Sequence, residues 1–311
     1  MADKKNNTVI SNHSLSNVMM KVTLNISDPL RNSVKDEDET KELERKHNVS
    51  PGGIVVRKHV VDKGSVSTYR DPLKALKDHY YEYSLPIGTG KQAFRVVPKK
   101  SINDFTSRFN ELKKDAQDAI KEFKREYEKP EWLDIQRQRM GAKFNEKDYK
   151  SPSEINEKLS VDGKVDKFAD ADCTNDMFLD AETASILQRD IEEMESSIRK
   201  YASENVWDQI MTPLSKMAEI CSKEHGSGKG SIFRDTLIDN LNNVLNRIPA
   251  LNFQGDARLE EVRAEAQNLI RDLSEEDLRD DPEKRKETAG NAKKVIDKIG
   301  GYTGMKSKKR L

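Results

Sequence analysis

Three segments of the chain carry apolar residues at alternating steps of three and four, and most residues between them are polar or charged. That spacing places the apolar side chains on one face of an α-helix. Such a face has to be covered, so the pattern predicts several helices packed against one another. The three stripes are Phe105, Phe109, Leu112, Ala116, Ala119, Phe123 and Tyr127; Leu187, Ile191, Met194, Ile198 and Tyr201; and Leu259, Val262, Ala266, Leu269 and Leu273.

The composition also favours helices. Charged residues make up 35% of the 311 residues, apolar residues 34%, and the mean hydropathy is -0.87; globular proteins usually contain about 45–50% apolar residues. A helix needs only one apolar stripe, whereas a doubly wound sheet needs strands that are apolar on both faces. We therefore expect a mainly α protein, an elongated antiparallel bundle of helical hairpins with a small N-terminal β-containing portion.

Short segments in the first hundred residues predict this β portion. Residues 18–26 alternate between apolar and polar, which is typical of a half-buried strand. Residues 54–61 are rich in branched side chains and predict a second strand, and residues 94–97 predict a third. The highly charged residues 35–46 are compatible with a surface helix or a disordered excursion.

Prolines predict several helix boundaries. Asp71 before Pro72 predicts a helix start there, and Ser101 with Asp104 predicts a capped start for a helix over 101–128. A second block covers 182–223, and Pro213 predicts a break or sharp kink within it, because an interior proline costs about 3 kcal/mol.

The prediction divides the chain into five segments, with further helices at 256–273 and 282–299 and a break at the glycine pair 300–301. These segments are a disordered N-terminus (1–16), a small α+β portion (17–100), a long helix with an irregular acidic region (101–181), a helical hairpin bundle (182–299) and a basic tail (300–311).

The overall charge excludes one simple class of function. Lys plus Arg and Asp plus Glu both number 55, so no net charge draws the whole chain onto nucleic acid or an anionic membrane. Residues 166–195 are nevertheless acidic and residues 282–311 basic, which indicates either attraction between the two regions or ordinary solvated surface. Two cysteines without metal-type spacing and the lack of an apolar run of about 20 residues predict a cytoplasmic protein without a membrane span.

Motifs for nucleotide or metal chemistry are incomplete. The glycine run 226–231 has Lys223 where a P-loop has its first glycine, and Gly88 to Lys91 is followed by Gln92 rather than Ser or Thr. The acidic series 170–176 has Asn175 where a calcium loop needs glycine. We therefore predict no catalytic residues, no cofactor and no metal, and a protein that is not an enzyme.

Aromatic and basic residues in 80–100 offer an alternative, since stacking rings beside cations bind single-stranded nucleic acid. Tyr80 and Tyr83 share a predicted helix face with Leu73 and Leu76, however, so core packing explains them equally well. The candidate interaction residues are Tyr80, Tyr81, Lys91, Arg95, Lys99, Lys100, Lys308, Lys309 and Arg310.

A series of short motifs resembles the phage and mobile-element family catalogued as domain of unknown function 3150. The order is Tyr83-Ser84-Leu85-Pro86, Phe94-Arg95-Val96-Val97-Pro98, Asp104-Phe105, Tyr149-Lys150-Ser151-Pro152-Ser153-Glu154-Ile155, Phe233-Arg234-Asp235-Thr236-Leu237 and Ile248-Pro249-Ala250-Leu251-Asn252. Members of that family are often encoded near a MoxR-type AAA+ ATPase and a von Willebrand A-type protein. The resemblance implies a partner or adaptor role and supplies no site residues.

The functional expectation is therefore a non-enzymatic phage or mobile-element protein that acts in the host cytoplasm through protein contacts. It would work as an oligomer or as an adaptor in a multiprotein complex, with an AAA+ ATPase as a partner by family analogy. The alternative is a nucleic-acid-binding accessory protein that uses the 80–100 region and the basic C-terminal tail.

Overall fold

The computed structural model describes residues 18–88, 93–167, 181–222 and 236–304. Most of these residues are helical and the rest of the regular structure is a small antiparallel sheet with a two-stranded ribbon, so the predicted mainly α fold with a minor β portion is confirmed. The strands are β1 (Met19–Ser27), β2 (Ser33–Lys35), β3 (Arg57–His59), β4 (Leu85–Ile87), β5 (Phe94–Pro98) and β6 (Ser160–Asp166). The helices are α1 (Glu37–Lys46), α2 (Lys63–Glu82), α3 (Ile102–Tyr127), α4 (Pro130–Met140), α5 (Pro152–Lys158), α6 (Ala181–Cys221), α7 (Thr236–Leu251), α8 (Ala257–Ile270), α9 (Glu275–Asp280) and α10 (Pro282–Thr303).

The sheet has the strand order β4-β5-β1-β6. Met19 pairs with Pro98 across β1 and β5, and Leu85 pairs with Val96 across β4 and β5. The strands predicted at 18–26 and 94–97 are therefore present. The segment 54–61 forms a strand only at β3, which pairs with β2 in the ribbon. Just before β3, the Val56 N–H donates to the Thr40 hydroxyl of α1 at 3.1 Å.

The described chain divides into two compact units, and each unit is built from segments that are distant in sequence. Unit 1 comprises the described parts of Met1–Val22, Glu82–Phe105 and Val165–Leu311. Unit 2 comprises Thr23–Tyr81 and Thr106–Lys164. These units differ from the contiguous segments expected from the sequence, since the chain enters both of them more than once.

Unit 1 is a helical core in which α6 packs against α7, α8 and α10 and against strand β4. The predicted stripe on α8 points into this core, where Leu259, Val262 and Ala266 are buried. Core residues shared by the four helices include Ala202, Val206, Trp207, Ile210, Leu214, Met217, Leu241, Leu245, Ile248, Ala292, Ile296 and Ile299.

Helix α6 is continuous across Pro213, so a break there is wrong, whereas the sharp kink stays a prediction. Proline removes one backbone hydrogen bond from a helix interior. The residues that flank it are anchored in the core: Ile210, Leu214 and Met217 are all fully buried. Packing of this apolar face, at roughly 1.5–3 kcal/mol for each large side chain, outweighs the loss at the proline.

The last helix is longer than predicted. Helix α10 passes through Gly300 and Gly301 and ends at Gly304, which has a positive φ of 70° and whose N–H donates to the Gly300 carbonyl at 2.8 Å. A left-handed glycine after the last turn is the usual end of a helix. The short helix α9, which was not predicted, begins with a capping box between Ser274 and Asp277.

Unit 2 is organised around α3, and the helix predicted at 101–128 is confirmed at Ile102–Tyr127. Its stripe is buried as expected, with Ile120 rather than Ala119 facing inward. Rings continue the core away from the helix: Phe123 lies 4.4 Å from Tyr69 and Tyr127 lies 4.2 Å from Trp132, measured between ring centroids.

Helix α2 begins nine residues before Pro72, the predicted first helical residue, so Pro72 lies inside the helix. The start at Lys63 is capped by Asp62, whose carboxylate accepts the Ser65 N–H at 2.9 Å. The helix is held by Tyr69, which is fully buried and donates its hydroxyl to Asp28 at 3.1 Å. Burial and the Asp28 carboxylate both raise the pKa of Tyr69, so the hydroxyl stays a donor.

The described part of 131–181 is more regular than expected. It contains α4, α5 and strand β6. Ser151 caps α5 by accepting the Glu154 N–H at 3.2 Å. Strand β6 escaped prediction because it places a glycine, Gly163, at its centre.

Candidate functional site

The first half of α6 exposes an apolar stripe. From residue 182 to residue 197 the helix has no buried side chain. Leu187, Met194 and Tyr201 recur every seven residues with 37%, 48% and 52% of their surface exposed, and Ile186 beside them is 46% exposed. At about 1.5 Å per residue, the stripe from Leu187 to Tyr201 is about 21 Å long.

This concentration is unusual for the described residues. Eight large apolar side chains are exposed in them, and four lie on this one stretch of helix. The other four are scattered, and single exposed apolar residues are normal on protein surfaces. They are Val49, Val55, Tyr81 and Ile135. A contiguous stripe, in contrast, marks an interaction surface.

The stripe runs directly into the core of unit 1. Ile191 is half-buried, and Ile198 on the same stripe is only 3% exposed. Ala202 and Val206 continue the buried side one and two turns further on. The exposed face and the face that packs inside unit 1 therefore belong to one helix, and the first buried side chain after residue 182 is Ile198.

Charged side chains around the exposed stripe are mostly acidic. Residues 182–204 contain six acidic residues and three basic ones: Glu182, Asp190, Glu192, Glu193, Glu195 and Glu204 against Arg189, Arg199 and Lys200. Arg189 lies 3.7 Å from Asp190 in an exposed pair. The surface around the exposed stripe therefore carries more negative than positive charge.

The described ion pairs of the basic region 282–311 are made with acidic residues other than those around the stripe. Lys284 pairs with Asp277 at 2.9 Å, and Lys298 pairs with Glu261 at 2.7 Å and with Glu265. All of these acids belong to α8 and α9. The interactions raise the pKa of Lys298 and hold the pKa of Asp277 at about 2, so both groups stay charged.

The residues proposed for nucleic-acid binding have varied roles. Tyr80 is 8% exposed, with its ring 6.5 Å from that of Phe109, whereas Tyr81 is 58% exposed. Both tyrosines belong to unit 2, and the basic candidates Arg95, Lys99 and Lys100 belong to unit 1.

Two of those basic residues hold the fold of unit 1. Arg95 donates from Nε to the buried Ser84 hydroxyl at 2.7 Å. Lys100 donates to the Asn252 carbonyl at 2.6 Å, just beyond the C-terminal end of α7, where a cation suits the helix dipole. Lys99 lies at the surface. Lys91, Lys308, Lys309 and Arg310 lie outside the described residues, as do the glycine run 226–231 and the acidic series 170–176.

A polar cleft of about 500 Å³ lies beside Pro213 in unit 1. Arg247 contributes a guanidinium that is 14% exposed and lies 3.3 Å from Glu82, and its Nε has no hydrogen-bond partner among the described atoms. Four amide side chains also line the cleft, those of Asn205, Gln209, Asn240 and Asn243, together with Asp208 and Lys216. The charged residues in the lining carry both signs, so the cleft does not favour an anion or a cation.

Within the described ranges, no three His, Cys, Asp or Glu side chains come together in a way that would hold a metal ion. None of the helices described has both the length and the apolar character of a membrane span.

Comparisons of the chain with protein-family models, with curated proteins and with solved structures found no match.

Proposed function

We propose that this chain works without catalysis by binding another protein, and that the exposed stripe of α6 makes the contact. The observation that carries the proposal is the heptad recurrence of the exposed side chains of Leu187, Met194 and Tyr201, the first two of which lie in 182–197, where no side chain is buried. Covering apolar surface provides most of the free energy in protein association. Side chains in this pattern are the ones that a second helix covers.

The wider role follows from the resemblance in the sequence. The ordered motifs that resemble the domain of unknown function 3150 family support a phage or mobile-element protein that acts in the host cytoplasm. They also support a protein that forms an oligomer or serves as an adaptor in a multiprotein complex, with an AAA+ ATPase as a partner. Nucleic-acid binding has less support, since Tyr80, Arg95 and Lys100 make contacts inside their own units.

Site-specific photo-crosslinking in cells tests the contact. A crosslinking amino acid replaces Leu187, Met194 or Tyr201 on the stripe, and Arg189 or Ser196 on the opposite side of the same helix as matched controls. We expect protein adducts from the stripe positions and none from the controls. The proposal fails when the stripe positions yield no adduct, or the same adducts as the controls.

Sedimentation of the purified protein at two concentrations distinguishes an oligomer from an adaptor that binds a different protein. A sedimentation coefficient that rises with concentration supports an oligomer. A constant monomer value combined with stripe-specific adducts supports an adaptor that binds a different protein.

A further inference from the structure

The stripe on the first half of α6 follows a heptad repeat. Ile191 and Ile198 occupy one apolar position, conventionally called a, and Leu187, Met194 and Tyr201 occupy the other, called d. In a pair of helices, the residues at the neighbouring positions e and g lie along both edges of the apolar seam and select the partner by charge.

The edges of this seam carry acids and no bases. Between residues 183 and 197 the e and g positions are Thr183, Gln188, Asp190, Glu195 and Ser197. The two that are charged, Asp190 and Glu195, are both acidic. Glu192 and Glu193 add negative charge further from the seam on the exposed turn between them.

Two copies of this helix would repel each other across the seam. In a parallel pair, position g of one helix faces the following e of the other, so Asp190 would face Glu195 of the second copy twice by symmetry. In an antiparallel pair e faces e and g faces g, and every charged contact again joins two acids. Like charges on adjacent helices destabilise the pair, whereas opposite charges stabilise it and speed association.

Resting on the proposed function, we infer that the exposed stripe of α6 binds an amphipathic helix of a different protein, one that carries Lys or Arg along both edges of its own apolar stripe. Leu187 and Met194 supply the apolar contact, and Asp190 and Glu195 supply the charge that selects a basic helix over a second copy of this chain. The flexible side chain of Met194 suits contact with a partner surface of varied shape.

Two designed peptides of about four heptads test the selection directly. Both have Ile at a and Leu at d, and they differ only in carrying Lys or Glu at every e and g position. Binding of each labelled peptide to the full-length protein is followed by fluorescence anisotropy at low and high salt. We expect the basic peptide to bind at least about tenfold more tightly than the acidic one, with an advantage that shrinks as salt screens the charges.

A charge-swapped protein provides the matched control. In the double variant Asp190→Lys with Glu195→Lys, the preference should reverse toward the acidic peptide while the apolar seam is unchanged. In Met194→Asp, both peptides should bind weakly. Circular dichroism checks that each variant keeps its helix content.

Each outcome decides the question. Equal affinity for the two peptides, or a preference that the charge swap does not alter, overturns the inference. Self-association of the protein that Met194→Asp abolishes also overturns it, since the occupant is then a second copy, while the proposed protein contact stands. When neither peptide binds the inference is wrong, and the crosslinking experiment shows whether the proposed function is wrong with it.

Discussion

The ring of Phe109 fills the space that a side chain at Gly163 would occupy. A Cβ added to Gly163 would stand 2.7 Å from Phe109 Cζ and 2.8 Å from the Thr23 carbonyl oxygen. Phe109 is fully buried in unit 2, and Lys113 one turn along the same helix donates to the Gly163 carbonyl at 2.8 Å. Helix α3 and strand β6 can therefore lie this close together only because residue 163 has no side chain.

Replacing Gly163 by Ala should therefore destabilise unit 2. Crowding by one methyl group in a packed core costs about 1–3 kcal/mol, and the Thr23 carbonyl cannot rotate away as a side chain would. Urea denaturation followed by circular dichroism should show an earlier transition.

Gly290 in α10 is the matched control for that change. It has no atom within 4 Å of an added Cβ and lies inside a helix. Gly290→Ala should raise stability by about 0.4–1 kcal/mol because alanine has fewer unfolded conformations to lose. Equal effects of the two substitutions would contradict the contact between Gly163 and Phe109.

Aspartate substitutions along α6 should separate its exposed half from its buried half. Leu187→Asp and Met194→Asp should change the free energy of unfolding of the isolated protein by no more than about 0.5 kcal/mol, because both side chains are exposed. Ile198→Asp on the same stripe should cost at least about 3 kcal/mol, since it buries a carboxylate in an apolar site. A large loss at Met194 would mean that this chain covers the stripe itself.

Pro213→Ala should raise the melting temperature of unit 1. Alanine restores the backbone hydrogen bond to the Gln209 carbonyl and removes a ring from a helix interior, where proline costs about 3 kcal/mol. Thermal unfolding by calorimetry measures the change. A lower melting temperature would instead show that Leu214 and Met217 need the backbone geometry that the proline imposes.

Cys221 should resist thiol reagents until unit 1 unfolds. It is 3% exposed, and burial raises the pKa of its thiol to about 11. In a Cys173→Ser background, where Cys221 is the remaining cysteine, reaction with a disulfide reagent at pH 8 should be slow and should become fast in denaturant. Fast reaction of the folded protein would show that unit 1 opens readily around the end of α6.

Ionisation of the Cys221 thiol should lower the free energy of unfolding at alkaline pH. Its folded-state pKa lies above the unfolded value of about 8.5. The folded state therefore binds more protons, so the contribution is complete below pH 8.5 and declines as pH rises toward 11. Cys221→Ala should flatten this part of the curve of stability against pH.

The helices α3 and α8 could be predicted because their stripes are long and regular. Local rules failed where packing decides the outcome. Proline in a helix is unfavourable in isolation, and both Pro72 and Pro213 predicted boundaries, yet each lies within a helix whose neighbouring turns are anchored in a core. The sequence does not reveal how much apolar area will be buried beside a proline.

The exposed stripe of α6 could be predicted only in part. The periodicity identified Leu187, Met194 and Tyr201 as one side of a helix, but the same pattern in α3 and α8 is buried. Periodicity shows which residues share a face, and it does not show whether this chain supplies the cover.

The continuity of α6 has a thermodynamic consequence for any partner. An isolated helix of fewer than about 12–15 residues is marginal in water because its first turn is costly to nucleate. In this chain the buried half, from Ile198 to Cys221, acts as a ready nucleus, and the exposed half extends from it without a new nucleation step. A partner therefore meets a preorganised helix and does not have to offset the entropy of folding one.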